Sequence, residues 1–408
     1  MRVVYVNEKP DNTLSRSIFL AGPSPRNSEH ANWRNRALEL LEEAGFDGTV
    51  FMPLTADGKF LHSYITQVEW ETTYLNMADL IIFWCPRDMT VSEDVPEGSS
   101  AEQAMRLPAF TTNVEFGTWV NSGKAILGYP VEARKMRYLA YHANEQSVPV
   151  FHSLEDTLSA GVQRLKVGAE RTEGEREVPL HIWRLPHFQG WYKSQIKAGN
   201  RLDSARLLWS FRVGPTKSFT FAYALHVNIY IGAEQRNKVN EFIYARPDIA
   251  TIVAYRHGEN LIDTEIALIR EFRSPTRTTD GFVREVPGGS SWKPDDDPLV
   301  TMTHELEEET GLGEGAGFTI NPSRLTKIGV RQLCSTLSVH VAHVFACELT
   351  EAEMTFLKGQ HIGNIVHGVE ADTERTYVEV HHLGNLLKAE SDSVDWSMIG
   401  MILTALNQ

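Results

Sequence analysis

The sequence predicts two folded parts, an α/β part built on a doubly wound parallel sheet and a mixed α+β part behind it. Three observations carry this expectation. At 408 residues the chain exceeds what one hydrophobic core normally serves. Over the first 150 residues short apolar runs alternate with helical patterns, the β-α-β-α order of a parallel sheet. After Val178 the signals turn β-rich, broken by one strong acidic helix. The expected boundaries are a first domain at 1–152, a linker at 153–177 and a second domain at 178–408.

The elements follow in order. "RSIFLAGPSP" reads as a strand ending in a Gly-Pro loop, and "ANWRNRALELLEEAG" as an amphipathic helix closed by Gly45. "TVFMPL" is the next strand and "SYITQVEWETTYLNMA" the next helix. "DLIIFWCP" is a strand buried on both faces, "NVEFGTWVNSG" a helix, and "KAILGYP" a fourth strand. The stretch Ser153–Glu177, with "GAERTEGERE" near its end, is polar enough to read as a linker. Beyond it "ALHVNIYIG", "IATIVAYRHG" and "TEIALIREFRS" alternate as strands. A helix from about Pro298 to Thr310, the strands "SVHVAHVFACEL" and "TYVEVHHL", and a helix from about Val394 complete the second domain.

Bulk composition narrows the function. Apolar residues make up 42% and charged residues 23%, as in an ordinary globular protein. A net charge of −14 argues against general affinity for nucleic acid or an anionic membrane, while leaving room for small phosphorylated ligands. Three cysteines, Cys85, Cys334 and Cys347, fit no disulfide framework and point to a reducing compartment. Met1–Pro10 lacks the apolar core of a signal peptide, and the longest apolar runs are far short of a membrane span. A cytoplasmic location is expected.

The acidic helix carries the chemistry of the second domain. Asp297 and Pro298 form a helix start and Gly311 a stop. Glu305, Glu308 and Glu309 then fall at i, i+3 and i+4, on one face, with no lysine or arginine in the helix to offset them. A hard divalent cation would relieve their repulsion, because oxygen ligands suit Mg²⁺ or Mn²⁺. The stretch "REVPGGSSWKPDDDPLVTMTHELEEETGL" (Arg284–Leu312) resembles the signature of the Nudix hydrolases, with Glu305, Leu306, Glu308, Glu309, Gly311 and Leu312 matching its ending. His304 replaces the arginine that usually pairs with the first glutamate. An aspartate, read as Asp296, replaces the upstream glutamate, and the loop after Gly289 is one residue longer. "LIREFRSP" with "REVPGG" is similar to the branch that cleaves ADP-ribose and related compounds.

That resemblance implies a Nudix fold over 178–408 and a magnesium- or manganese-dependent pyrophosphatase. It implies Glu305, Glu308 and Glu309 as metal ligands, Glu285 as a further ligand or acceptor, and a catalytic base among the acids of "HGVEADTERTYVEV", with Glu370 and Glu374 as the candidates. Arg270, Arg273 and Arg284 are candidate phosphate contacts, and a homodimer through this domain is expected. His304 is expected to orient Glu305.

In the first domain, "IFLAGPSPR" places Gly22 and Pro23 where a first strand ends, the edge at which such sheets bind ligands. With "ADLIIFWCP" and "TNVEFGTWVNSGKAILGY" the pattern resembles the nucleoside 2-deoxyribosyltransferase-like family, and so implies a Rossmann- or flavodoxin-like sheet. By that resemblance Glu115, in "NVEFG" ahead of Gly123-Lys124, attacks or stabilises the anomeric carbon as a C–N glycosidic bond breaks. Amide groups at a helix start around Thr112–Val114 are expected to keep it ionised. Cys85-Pro86 stands where transferases carry an aspartate, with Asp88 slightly beyond as a substrate-binding candidate; Asp79 is read as a strand cap. Trp33, Trp70, Phe83 and Trp84 are possible base-stacking residues. Two function classes follow: a bifunctional nucleotide-processing enzyme acting on a small nucleotide substrate, and a nucleotide sensor that binds without turnover.

Overall fold

A computed structural model describes residues 1–24, 32–91, 98, 100, 105–290, 297–318, 320–368, 373–388 and 392–408. Asp296 and Glu370 lie outside the described residues. The chain divides into two compact units, Met1–Ala245 and Arg246–Gln408. No helix among the described residues is long and apolar enough to cross a membrane.

The N-terminal unit is built on a six-stranded parallel sheet. Its order runs Arg2–Tyr5, Thr49–Met52, Ser17–Ala21, Leu80–Trp84, Ala125–Gly128 and Val150–Phe151. The strand residues alternate between two cores. Phe19, Phe51, Ile81, Phe83 and Leu127 enter one; Ile18, Leu20, Val50, Met52, Leu80, Ile82, Trp84 and Ile126 enter the other. A parallel sheet covered by helices on both faces requires such continuous apolar runs, so the expected α/β class is the one observed. The two edge strands, Arg2–Tyr5 and Val150–Phe151, were not anticipated; the first occupies the stretch judged only for its lack of a signal peptide.

The expected linker is not one. Leu154–Leu165 is a helix, capped by the Ser153 hydroxyl accepting from the Asp156 amide at 3.0 Å, and Leu154, Leu158 and Leu165 pack into the second core. Arg171 then buries completely and pairs with Asp79. The polar run looked like a linker because most of its residues are charged or polar, while Leu154, Leu158 and Leu165, on one helix face, and Arg171 carry the packing. The unit continues through Pro186–Lys197 into a three-stranded antiparallel sheet, Arg201–Val213, Phe219–Ile231 and Arg236–Ala245. Of the three, only the strand in "ALHVNIYIG" was expected, and it was expected in the second domain; here all three belong to the first unit.

Asp79 is the polar centre of this unit rather than a simple strand cap. One oxygen accepts from the Ser17 amide (2.8 Å), the Ser17 hydroxyl (3.0 Å) and Arg171 (2.7 Å); the other accepts from Arg171 (2.8 Å) and the Leu180 amide (2.9 Å). Neither side chain of the ion pair reaches solvent.

In the C-terminal unit, Ile249–Arg256 pairs antiparallel with Glu265–Phe272 and parallel with Val341–Glu348. Thr326–Gln332, Thr376–His382 and Val366–His367 extend the mixed sheet, and Phe282–Glu285 and Gly288–Gly289 attach beside it. The acidic helix Pro298–Thr310 forms as expected: Asp297 accepts from the Leu299 amide at 2.9 Å, and Gly311 closes it with φ 68°. Helix Glu351–Gly363, capped by Thr350 and Glu353, was not foreseen.

Removing the Asp79 carboxylate leaves Arg171 charged and buried without a counter-ion, a loss of about 3–5 kcal/mol. Asp79→Ala is therefore expected to shift urea unfolding of the N-terminal unit by that amount and to open Ser153–Val178 to proteolysis. A shift below about 1 kcal/mol would show that the pair is dispensable.

Candidate functional site

The first candidate site lies at the carboxyl ends of the central parallel strands. Gly22 follows Ser17–Ala21 with φ 144°, and a Cβ there would fall 2.1 Å from the Trp84 carbonyl oxygen, so only glycine allows the two strand ends to approach. Arg34, 1% exposed in the first turn of Trp33–Glu43, fixes this loop. It donates to the carbonyls of Leu20 (3.0 Å) and Gly22 (2.6 Å) and to the Ser24 hydroxyl (2.8 Å), and Trp33 donates to the Pro23 carbonyl at 2.9 Å. Gly22 and Pro23 are thus held by their backbone oxygens.

Glu115 sits in the second turn of helix Phe110–Trp119, not at its start. The helix begins one turn earlier because Arg87, buried, donates to the Ala109 carbonyl (3.3 Å) and to Asn113, holding Ala109 left-handed at φ 57°. The expectation that helix-start amides keep Glu115 ionised is therefore corrected. Burial pushes its carboxyl up to about 7, Glu71 repels it further, and Arg34 opposes both. Glu71 is also raised, chiefly by burial, although Gln67 donates to it at 2.7 Å and is itself held on the Pro53 carbonyl at 2.9 Å. Among the described residues Arg34 is the one cation acting on both carboxyls. Glu71 and Arg34 were missed. Two signals were present: an arginine in a helix's first turn, where the dipole disfavours it, and the Gln67–Glu71 polar pair at i, i+4 in helix Tyr64–Met77.

The remaining first-domain candidates separate. Asp88 forms a local turn, accepting from the Thr90 amide (2.9 Å) and hydroxyl (2.7 Å). Cys85 is fully buried, and burial pushes its thiol up to about 11. Trp33, Phe83 and Trp84 belong to the core, and Trp70 packs on Phe19 and Tyr74.

The second candidate site gathers carboxylates from a strand, a helix and the segment before Thr376–His382. Ligand oxygens of Glu271, Glu309 and Glu374 lie within 4.8 Å of one another. Glu309, 2% exposed, accepts from the Gly288 amide at 2.9 Å. A Cβ at Gly289 would fall 2.2 Å from the Glu305 carboxylate, so the glycine loop lies directly on that side chain. Burial raises Glu305 to about 7, with Glu308 and Glu374 adding repulsion; it raises Glu309 well above the carboxylate range and Glu271 to about 7. The helix trio expected to converge is thus split: Glu309 joins Glu271 and Glu374, Glu305 lies against the loop, and Glu308 turns to His304 at 3.3 Å. His304 is 79% exposed and pairs with Glu308 rather than orienting Glu305 by contact; its charge acts on Glu305 only through space. Glu271 was missed because two glutamates six residues apart in the strand "EIALIREF" give no spacing signal.

The flanking residues are engaged within the protein. Arg273 donates to Glu285 at 2.8 and 3.0 Å and lies 2.8 Å from Glu271 without hydrogen-bond alignment. Arg270 and Arg284 both bind Glu379, at 2.9 and 2.6 Å. Although burial favours its neutral form, His381 and Arg284 hold Glu379 down at about 2. All three arginines expected at phosphates therefore serve carboxylates.

The electrostatics of Glu115 set a pH-dependent stability. Its folded value lies above that of an exposed glutamate, so its favourable contribution is complete below about pH 4.5 and lost as pH rises through 7. Glu115→Gln is expected to match the wild type in thermal stability at pH 5 and to exceed it at pH 8, by on the order of 2–3 kcal/mol. Equal midpoints at pH 8 would place Glu115 in an unstrained environment.

Residues 15–132 match the family described as nucleoside 2-deoxyribosyltransferase like. No curated protein matches the chain. The N-terminal unit thus contains a nucleoside 2-deoxyribosyltransferase-like domain that takes in Gly22, Arg34, Glu71 and Glu115, and its family points to nucleoside glycosyl transfer or nucleotide processing.

Proposed function

We propose that the chain is a two-site nucleotide-processing enzyme. Its N-terminal unit cleaves or exchanges an N-glycosidic bond, and its C-terminal unit hydrolyses a nucleoside diphosphate-linked compound such as ADP-ribose. The observation that carries the first half is the buried Glu115 carboxyl, coupled to Glu71 and Arg34 beside the Gly22 loop. In its ionised form Glu115 captures or shields the anomeric carbon as its bond to the base nitrogen breaks, and water or an incoming base completes hydrolysis or exchange. Glu71 makes that charge costly in the resting site, so an oxocarbenium-like centre gains more from it.

The second half rests on the Nudix-like motif and the carboxylate cluster. Glu271, Glu309 and Glu374 offer hard oxygen donors at ligand spacing, and their mutual repulsion is what a divalent cation relieves. They would hold Mg²⁺ or Mn²⁺, with Glu305 beside them; Glu374 then takes a ligand place rather than that of the base. When bound, such a cation neutralises phosphate charge and lowers the pKa of water. The Gly288 amide fixes Glu309, and Arg273 keeps Glu285 and Glu271 in place; a phosphate reaching Arg270, Arg273 or Arg284 must exchange with a carboxylate. Removal of a base from a dinucleotide would yield ADP-ribose, which links the two steps.

A second reading, a sensor that binds without turnover, is favoured by Cys85, a buried, protonated thiol at the position where transferases carry an acid. Mass-spectrometric product analysis over a nucleoside, nucleotide and dinucleotide panel separates the two. Glu115→Gln is expected to abolish free-base release and leave ADP-ribose hydrolysis intact, since sites in separate compact units behave independently. Glu309→Gln is expected to lower ADP-ribose turnover by about 10²–10³-fold or more and to remove the stabilisation the wild type gains from Mg²⁺. Undiminished ADP-ribose turnover in EDTA would overturn the C-terminal half. Tight binding of a nucleotide with no product released would favour the sensor.

A further inference from the structure

The N-terminal unit holds a cavity of about 360 Å³ between the last turn of helix Phe110–Trp119 and the strand Arg201–Val213. Its volume lies within the roughly 300–1,000 Å³ range of small-molecule sites. The lining includes Trp119, Trp209, Phe211, Arg212 and Lys217, with no acidic side chain and none of Gly22, Arg34, Glu71 or Glu115.

The charge here runs against the chain's balance of −14. Arg212 donates to the carbonyls of Lys217 and Gln146, both at 3.4 Å, and Lys217 donates to the Glu145 carbonyl; no ion pair to either is found among the described residues. Lys217 is held left-handed at φ 45° in the turn after Gly214. Beneath them Arg164 donates to the Gly123 carbonyl at 2.6 Å, and Lys124, 1% exposed, lies 4.4 Å over the Trp119 ring. A Cβ at Gly123 would fall 3.1 Å from His181 Nε2 and 3.3 Å from Arg212 Cδ, which sets the histidine beside the arginine. His181 Nε2 is buried without a hydrogen-bond partner. Burial, and then Arg164, Lys124, Arg212 and Arg184, keep that ring neutral at about 3. With no carboxylate in the cavity lining, and with Arg164 and Arg212 close enough to repel one another, the site carries a local positive potential that an anion relieves.

The aromatic half of the lining is equally specific. Trp209 and Phe211 are stacked, 6° apart in plane with centroids 6.1 Å apart, and each is 49% exposed. Exposed, parallel rings beside guanidinium and ammonium groups match a ligand that joins a flat base to a phosphate. We propose that this cavity binds a nucleoside phosphate, with the base against Trp209 and Phe211 and the phosphate at Arg212 and Lys217.

Calorimetric titration of the full chain in EDTA, carrying Glu115→Gln to silence glycosidic cleavage, tests this with AMP, UMP, adenosine and inorganic phosphate. AMP and UMP are expected to bind, and adenosine and phosphate each at least about tenfold more weakly. Arg212→Gln with Lys217→Gln, and separately Trp209→Leu, are each expected to weaken AMP at least about tenfold. Arg212→Lys, which keeps the charge, should retain most of the affinity. Trp209 is half exposed, so its replacement tests the site without risking the fold, and circular dichroism checks each variant. The proposal is overturned if neither nucleotide binds, if phosphate alone binds as tightly as AMP, or if folded variants bind AMP like the parent. AMP held only at the Glu115 site gives that last result, so the proposal fails there without touching the glycosidic reading.

Discussion

The buried pair of Asp79 and Arg171 is the constraint on which the N-terminal unit depends. A carboxylate excluded from water must satisfy its lone pairs within the protein, and Asp79 does so with Ser17, Arg171 and Leu180, drawn from three distant stretches of chain. Each bond fixes something else. Ser17 opens the strand that ends at Gly22; Arg171 and Leu180 draw 153–180 onto the sheet and close its second core. The Gly22 loop is therefore anchored at one end by Asp79 and at the other by Arg34.

The sites invert this logic. Asp79 is buried with both oxygens answered, whereas among the described residues Glu115 and Glu71 share the single cation Arg34. In the C-terminal unit Glu271, Glu309 and Glu374 stand together, and the nearest arginine is divided between Glu271 and Glu285. Under-compensated burial of charge lowers stability, and proteins keep it where chemistry uses it. The same contrast holds among the basic residues: Arg270 and Arg284 are spent on Glu379, while among the described residues Arg212 and Lys217 hydrogen-bond only to carbonyl oxygens.

Much of the fold was legible because continuous apolar runs and helix caps are local signals. The central strands, the Asp297–Gly311 helix and the position of Gly22 follow directly from them. What escaped was long-range. Nothing local in "GAERTEGERE" reveals that Arg171 reaches Asp79 across the fold, and strand patterns after Val178 do not state which sheet they join. Likewise Glu305, Glu308 and Glu309 are one face by spacing, but the backbone of the glycine loop and the strand carrying Glu271 decide which of them meet. Glu115 was found by its motif, while its environment, set by Arg34 and Glu71 from two other helices, was missed, because the signals at those two residues do not say what they face.

The central claim is that a buried glutamate near neutrality performs the glycosidic step, and the pH dependence of free-base release tests it most directly. Release should rise as pH increases through about 7, where Glu115 ionises. In Glu71→Gln the rise should move to lower pH, because the repelling charge is gone. A rate flat from pH 5 to 9, or a profile that Glu71→Gln leaves in place, would contradict the account.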